Sequence, residues 1–306
     1  MPRFPLALVV LCVTLICNSN GVTTANAYIS PQDIQGAIAE EKWEKCLNGL
    51  SQHVGRRDQN LLVIGHAYGA PGSSHLGLDP KLARAIPGLS RRFENVGLTG
   101  DIVSMPSRDS LYKAKEQLGA FNRVIAAPGN HDIGQTSQNF ERVFGPLYGY
   151  TRVGESAIIW LDSASGDQAV STQQMKWLRK TLHSPIIRNS KSLVVLIHHM
   201  VWAATPDELA AKNAGPADPS WQRNSSRLTR VLRSGYPRSI LVVSGDTGAF
   251  AENSATVCRS SGRLTLLANG IGGRSDDAVL IITTGASPSV QSCTISSLIA
   301  DYCRRP

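Results

Sequence analysis

From residue 61 onward the chain alternates short apolar runs with polar or glycine-rich turns. The runs are Leu61–Ile64, Val96–Thr99, Arg123–Ala126, Ala157–Leu161, Leu193–Ile197, Ile240–Val243, Leu264–Ala268 and Ala278–Thr283. Their length and their β-branched side chains predict short buried strands. Between several of them the apolar positions recur with helical spacing, over Ser110 to Leu118, Ser171 to Leu182 and Arg223 to Leu232. Ser171 reads as an N-cap, with Gln174 placed to close a capping box. A further helix is predicted from Ser30 to about Leu50, with Pro31 in its first turn and Ile34, Ala37, Trp43 and Leu47 on one side. Short strands alternating with helices predict an α/β sheet rather than an all-β sandwich. In such sheets ligands bind in loops beyond the carboxyl ends of the strands. The residues just after each run are therefore the candidates for chemistry.

The N-terminus changes the picture of where this domain works. Phe4 to Cys17 is almost wholly apolar, follows Arg3, and leads to Ala25-Asn26-Ala27. That is the pattern of a cleaved export signal over residues 1–27. It is short of the ~20 residues needed to span a bilayer. Residues 28–306 then form one domain, secreted or periplasmic, with no membrane span after cleavage. Cys46, Cys258, Cys293 and Cys303 remain. In an exported protein they predict two disulfides in one of three connectivities, Cys293–Cys303 closing the shortest loop. None of the four forms a C-x-x-C pair, which argues against a cysteine zinc site.

The formal net charge is +8. The densest basic groups are only pairs, Arg56-Arg57, Arg91-Arg92 and Arg304-Arg305, with no basic stripe interleaved with aromatics. Nucleic acid is thereby disfavoured as a partner. A mildly basic surface attracts small anionic phosphoesters, although it also simply aids solubility.

Five strand ends carry polar clusters. Gly65-His66-Ala67-Tyr68-Gly69, Gly100-Asp101-Ile102-Val103-Ser104, Pro128-Gly129-Asn130-His131-Asp132, His198-His199 and Ser244-Gly245-Asp246-Thr247-Gly248 each follow a run. Singly, each is an ordinary turn or a packing histidine. Together they bring imidazole, carboxylate and amide groups to one end of one sheet, and these are good ligands for divalent metals. No G-x-S-x-G nucleophile elbow is evident. Gly270-Ile271-Gly272-Gly273 lacks the lysine of a phosphate loop and reads as a turn near the site, with Asp276 and Asp277 solvated. His53, His75 and His183 read as surface residues, although His75 is near enough in sequence to swing in as a substitute ligand. Trp202 either lines a cleft or packs in the core.

In order, spacing and strand context these clusters resemble the metallophosphoesterase (calcineurin-like) superfamily. Its pattern is D-x-H, G-D-x-x-D, G-N-H-D/E, a histidine often within H-H, and G-H-x-H. The stretches Phe144–Pro146, Ile158–Ser163 and Thr172–Leu178 are similar to family segments outside the site. The resemblance runs from Leu61 to about Thr284 and implies a four-layer α/β/β/α sandwich holding divalent metal. It implies that Asp101 bridges the metals, that Asn130 and His198 ligate one of them, and that His131 and Asp132 are catalytic.

The chain departs from the pattern elsewhere. The first motif reads His66-Ala67-Tyr68, which makes His66 and Tyr68 altered candidate ligands. Ser104 replaces the second aspartate, and Asp246 and Gly248 replace the two terminal histidines. One metal position is therefore weakened. The other keeps Asp101, Asn130 and His198 and gains Asp246, a set suited to one ion of manganese, iron or zinc. Its extra oxygen favours harder ions such as manganese or magnesium over zinc. The competing reading is a His66–Asp246 ion pair in place of metal. The expected function is hydrolysis of phosphate mono- or diesters at a reduced site. The alternative is an inactive relative of the same fold that acts by binding.

Overall fold

The computed structural model describes residues 56–134, 136–165, 169–200, 219–247 and 257–299, together with Cys46. The expected helix from Ser30 to Leu50 lies outside the described residues except for Cys46, which is helical. The expected signal segment also lies outside them, as do His53, Trp202 and Cys303.

The eight apolar runs all become strands. In chain order the strands are β1 (Asn60–Ile64), β2 (Asn95–Thr99), β3 (Arg123–Ala127), β4 (Gly149–Val153), β5 (Ser156–Leu161) and β6 (Ser192–Ile197). They continue with β7 (Ile240–Ser244), β8 (Val257–Ser261), β9 (Leu264–Ala268), β10 (Ala278–Thr283) and β11 (Ser289–Thr294). One sheet has the order β11-β10-β1-β2-β3 and the other β4-β5-β6-β7-β9-β8. Within the first, β1, β2 and β3 run parallel. Within the second, β5, β6, β7 and β9 do. The remaining strands pair antiparallel at the flanks.

Side-chain alternation along each strand separates the core into layers. Leu61, Val63, Leu280 and Ile282 of the first sheet meet Val194, Leu196, Leu241 and Val243 of the second in one buried cluster. The alternate residues Leu62, Ile64, Val96 and Leu98 pack outward on helices α1 (Pro80–Arg92) and α2 (Arg108–Gln117). On the other side Leu193, Val195, Ile240 and Val242 pack on α5 (Thr172–Thr181) and α7 (Pro219–Gly235). Between them in chain order lie α3 (Asn130–Ile133), α4 (Gln138–Phe144) and α6 (Pro185–Arg188). Three apolar clusters thus separate four layers, helix–sheet–sheet–helix. No helix among the described residues is long and apolar enough to cross a membrane.

Two local expectations change. Ser171 caps α5 as expected, its Oγ accepting from Gln174 N at 3.1 Å. The Gln174 side chain does not close a capping box. It is buried and bonds the Asp162 backbone twice, accepting from N and donating to O at 2.8 Å each, which anchors the end of β5. Helix α1 was not legible because Pro87 sits inside it. Asp79 caps it by accepting from Lys81 N and Leu82 N, and its apolar side, Leu82, Ile86 and Leu89, is buried. Cys46 is bonded to Cys258, with a Cα–Cα distance of 6.0 Å, and Cys293 is also disulfide-bonded.

Candidate functional site

The parallel strands of both sheets end at the same rim, and their following loops converge there. Two glycines make the approach feasible. Gly100 has φ +86°, and a Cβ there would lie 2.5 Å from the His198 ring. A Cβ at Gly129 would collide with the backbone and carboxylate of Asp101. Two residues that follow strand-end glycines are also left-handed: His66 after Gly65 and Asp101 after Gly100 both have φ +52°. For a non-glycine residue such a conformation costs about 1–3 kcal/mol and collects at functional loops. It is held by the hydrogen bonds His66 N to Gly100 O at 3.1 Å and Tyr68 N to Asp101 O at 3.3 Å.

His198 is the centre of the cluster. It is fully buried, and its Nδ1 pairs with Thr99 O at 3.0 Å. A carbonyl can only accept, so Nδ1 carries a proton and Nε2 faces the site. Around Nε2 stand Asn130 Oδ1 at 3.0 Å, Asp101 Oδ1 at 3.4 Å and Asp246 Oδ1 at 3.7 Å. The structure therefore brings together Asp101, Asn130, His198 and Asp246. Donors bound to one ion at about 2.1 Å stand roughly 3.0–3.4 Å from one another. By its donor types and spacing this set fits a divalent cation. Its histidine also has the backbone carbonyl partner that metal-bound imidazoles use. The ring nitrogens of His198 and His199 and an Asp246 oxygen also lie within 4.8 Å of one another. The Asp101–Asn130 set is the tighter one, with oxygens 3.0–3.7 Å from His198 Nε2, and His199 Nδ1 is already engaged by Ser163 Oγ at 2.9 Å.

The first-motif side is different. His66 Nδ1 pairs with Ile271 O at 2.9 Å, and its Nε2 faces Asp101 Oδ2 at 3.5 Å. His66 is therefore partnered with Asp101 and not with Asp246, as the ion-pair reading expected. Asp246 pairs instead with His198. Tyr68 is buried, its ring 4.3 Å from that of His66 and 5.1 Å from that of His131. Among the described residues, the histidine and carboxylate donors on this side are His66 and Asp101. Gly248 lies outside the described residues.

His131 is tethered on two sides. Its backbone N–H donates to Asp101 Oδ1 at 3.0 Å, and its Nδ1 pairs with Ser104 O at 2.9 Å. Asp132 is turned away from the ligand cluster and completely buried. Its Oδ1 accepts from Ile102 N and Val103 N, and its Oδ2 from Gly129 N. That ties the second and third motif loops together.

Electrostatics follow from burial and neighbours. Burial alone would lower His198, but Asp101 and Asp246 outweigh it and raise its pKa. Burial pushes the Asp101 carboxyl up, yet His198 and His66 hold it below the ordinary value. Burial lowers His66, against the attraction of Asp101. Asp246 is raised by burial to about 6, and Asp132 by burial and the Asp101 charge to about 7. Burial and the adjacent His198 lower His199 to about 3, so it is a neutral imidazole.

Several supporting groups carried no sequence signal. The Thr99, Ser104 and Ile271 carbonyls orient three histidines, and a backbone acceptor leaves no trace in residue type. Ser163, which bonds His199, lay in the family-like stretch Ile158–Ser163 but outside the clusters read as the site. Asp277, read as solvated, is buried. Its carboxylate accepts from Gly272, Gly273 and Arg274 N–H groups and shapes the turn that carries Ile271. Asp276 is solvent-facing and pairs with Arg274. His75 does not swing in as a described partner of the site, and its Nε2 is buried without a hydrogen bond.

No protein-family model matches the sequence, and no curated protein matches it. Solved structures do. A purple acid phosphatase from yellow lupin (Lupinus luteus) seeds aligns with TM-score 0.59 at 11% identity, over 81% of this chain and 56% of that one. The chain thus spans little more than half the length of the lupin protein. A predicted phosphoesterase of Streptococcus pneumoniae aligns at TM-score 0.37 and 11% identity, over 78% of this chain and 90% of that one. A Thermus thermophilus protein aligns at TM-score 0.44 and 12% identity, over 78% and 99%. With the layer order and the loop cluster described above, the likeness to the lupin protein identifies this chain's architecture as the metallophosphoesterase fold.

Proposed function

We propose that this chain is an exported, metal-dependent phosphoesterase that works with one divalent cation. The observation that carries the reading is the ring of oxygens around His198 Nε2, at 3.0, 3.4 and 3.7 Å. Asp101, Asn130, His198 and Asp246 would hold the ion, and the two carboxylates favour manganese, magnesium or iron over softer choices. Bound there, the cation supplies Lewis-acid polarisation of a phosphoryl oxygen and a water nucleophile at neutral pH.

The chain's own groups do the rest. Asn130 is exposed at the mouth, so its amide nitrogen can donate to the substrate phosphate. His131 gives its Nδ1–H to Ser104 O, which leaves Nε2 to carry the proton that goes to the leaving oxygen. Asp132 positions both loops by its three amide bonds. The substrate class is small phosphate mono- or diesters. The test is turnover of p-nitrophenyl phosphate and bis(p-nitrophenyl) phosphate with added manganese. His131→Ala should lower kcat by about 10²–10⁴-fold. Absence of hydrolysis with manganese, iron and zinc alike would sink the reading.

A second reading is favoured by the chain of contacts from His66 through Asp101 and His198 to Asp246. These charges neutralise one another without metal and suit a binding protein that has lost catalysis. Stoichiometric metal in the purified protein, with activity lost in His131→Ala, excludes it.

A further inference from the structure

Among the described residues, helices α5, α6 and α7 carry no carboxylate. The sequence contains no Asp or Glu from 168 to 206, nor from 219 to 245. Those stretches supply α5, α6 and α7. Arg179, Lys180, Arg188, Arg230, Arg233 and Arg238 are exposed on them. Scattered in sequence, these cations are gathered by the fold onto one surface. The carboxyl ends of α5 and α7 abut, since a Cβ on Gly235 would lie 2.6 Å from Leu182 Cδ1. Arg238 Nη1 reaches across to Arg188 O at 2.9 Å and Ser190 O at 3.1 Å. Arg233 Nη2 reaches Ser261 O at 3.4 Å.

Exposed ion pairs elsewhere make the contrast. Arg56–Asp58, Arg57–Glu94, Lys113–Glu116 and Arg274–Asp276 all belong to the first sheet's side. On the basic side the described exposed pair is Lys191–Glu155. Arg238 and Arg233 have a structural task, Arg238 bonding the Arg188 carbonyl at the end of α6 and Arg233 the Ser261 carbonyl at the end of β8. Arg179, Lys180 and Arg230 have no such partner among the described residues. Beside α7 lies an open depression of about 510 Å³ lined by Ser226, Thr229, Arg230, Arg233 and Ser234. The Thr229 and Ser234 hydroxyls donate within the helix, to Ser226 O and Val231 O, so the guanidinium groups of Arg230 and Arg233 are the donors for a phosphate there. At the same corner Ile186 is 45% exposed, two residues before Arg188.

We propose that this face docks on the surface of an anionic phospholipid bilayer, with a headgroup phosphate seated between Arg230 and Arg233. Cations within a Debye length of an anionic bilayer add attraction one by one, and an exposed aliphatic residue among them enters the headgroup boundary. Single-stranded nucleic acid is the weaker fit, because the exposed aromatic described on this layer, Tyr150, sits beside Trp177 at the β4 edge and not in the depression lined by Arg230 and Arg233. The patch surrounds the amino-terminal ends of β6 and β7, and the candidate site lies at their carboxyl ends. Docking therefore leaves the site open.

The test is co-sedimentation of the full chain with vesicles of 30% phosphatidylglycerol in phosphatidylcholine, against pure phosphatidylcholine. The difference between the two isolates charge-driven binding from any contribution of the apolar segment Phe4–Cys17. Binding should favour the anionic vesicles by about tenfold or more and should weaken as salt screens the surface. Lys180→Glu with Arg230→Glu should weaken anionic-vesicle binding by about tenfold, while hydrolysis of p-nitrophenyl phosphate and the unfolding midpoint stay as in the parent. Arg179→Gln with Arg230→Gln, which removes charge without reversing it, should give a smaller loss in the same direction. Equal binding to both vesicles, or binding unchanged by these variants, would overturn the proposal. So would displacement by millimolar glycerol 3-phosphate, which would make a soluble phosphate the ligand, or preferential binding to a short duplex DNA. The outcome is independent of whether the candidate site turns over.

Discussion

His198 Nε2 lies 3.0 Å from Asn130 Oδ1, although the two residues come from different sheets. Asn130 follows β3 and His198 follows β6, so a ligand bound between them joins the two halves of the sandwich. On the one-metal reading, purified chain equilibrated with manganese carries one equivalent. His198→Ala removes the central donor and should weaken manganese binding by more than about 100-fold, beyond the 10- to 100-fold that loss of an outer partner costs. Calorimetric titration with manganese chloride checks both numbers. A parent chain that takes up no manganese leaves the metal-free reading standing.

Asp132 carries a different prediction, about fold rather than ligation. Its carboxylate is completely buried and accepts three amide protons from two loops. Asp132→Ala orphans Ile102, Val103 and Gly129 N–H groups away from water. Each orphan costs about 1–3 kcal/mol, and partial relaxation makes the sum about 3–5 kcal/mol. Urea unfolding should show the lowered midpoint. Asp132→Asn keeps acceptor capacity on one side only and should fall between the two.

These loops also show how far the sequence could be read. Strand identity was fully legible for the eight apolar runs: seven are parallel strands, which leave unbroken apolar stretches, and the eighth, β10, is antiparallel but buried between β1 and β11. The flanking strands β4, β8 and β11 were not, because they alternate polar residues at sheet edges, as in Gly149–Val153 and Ser289–Thr294. In the site, convergence of Asp101, Asn130, His198 and Asp246 followed from their positions after strands. The partner of His66 did not, because a residue-type pattern cannot say which of two carboxylates lies closer. The observed contact, His66 Nε2 to Asp101 Oδ2 at 3.5 Å, depends on how two loops with left-handed residues turn, which residue types do not record. The basic face was missed for a related reason: its cations are single residues separated by helical turns, and only packing of α5 against α7 gathers them.

Gly100 tests the backbone argument directly. Its φ of +86° and the 2.5 Å approach to the His198 ring leave no room for a methyl group. Gly100→Ala should cost about 1–3 kcal/mol in stability from the backbone alone, and should displace His198 enough to lose manganese binding. Gly119 is the control. Nothing lies within 4 Å of a Cβ there, and its φ is not in the left-handed region. Gly119→Ala should be neutral or stabilising by up to about 1 kcal/mol, through the unfolded chain. Thermal unfolding of both variants, with and without manganese, separates strain from ligand loss. Equal effects at the two glycines would contradict the steric account.

Tyr236 gives a pH signature far from the site. It is buried and donates its hydroxyl to Ser190 O at 2.8 Å. Burial raises its pKa above the ordinary 10, with the neighbouring Arg238 opposing the shift. A tyrosine raised in the folded state stabilises the fold fully below its unfolded pKa. That contribution is lost as pH climbs from the unfolded toward the folded value. The parent should therefore lose stability above about pH 10 more steeply than Tyr236→Phe, which has nothing to ionise at this position. At pH 7 the same variant should be less stable by about 0.5–1.5 kcal/mol, the worth of one neutral hydrogen bond. The loss should sit at the low end, because Arg238 still bonds Ser190 O at 3.1 Å and keeps that carbonyl satisfied. Chemical denaturation of both proteins at pH 7 and pH 10.5 measures the difference of differences. A gap that widens with pH, instead of closing, would show that the Tyr236 hydroxyl is not held neutral by the fold.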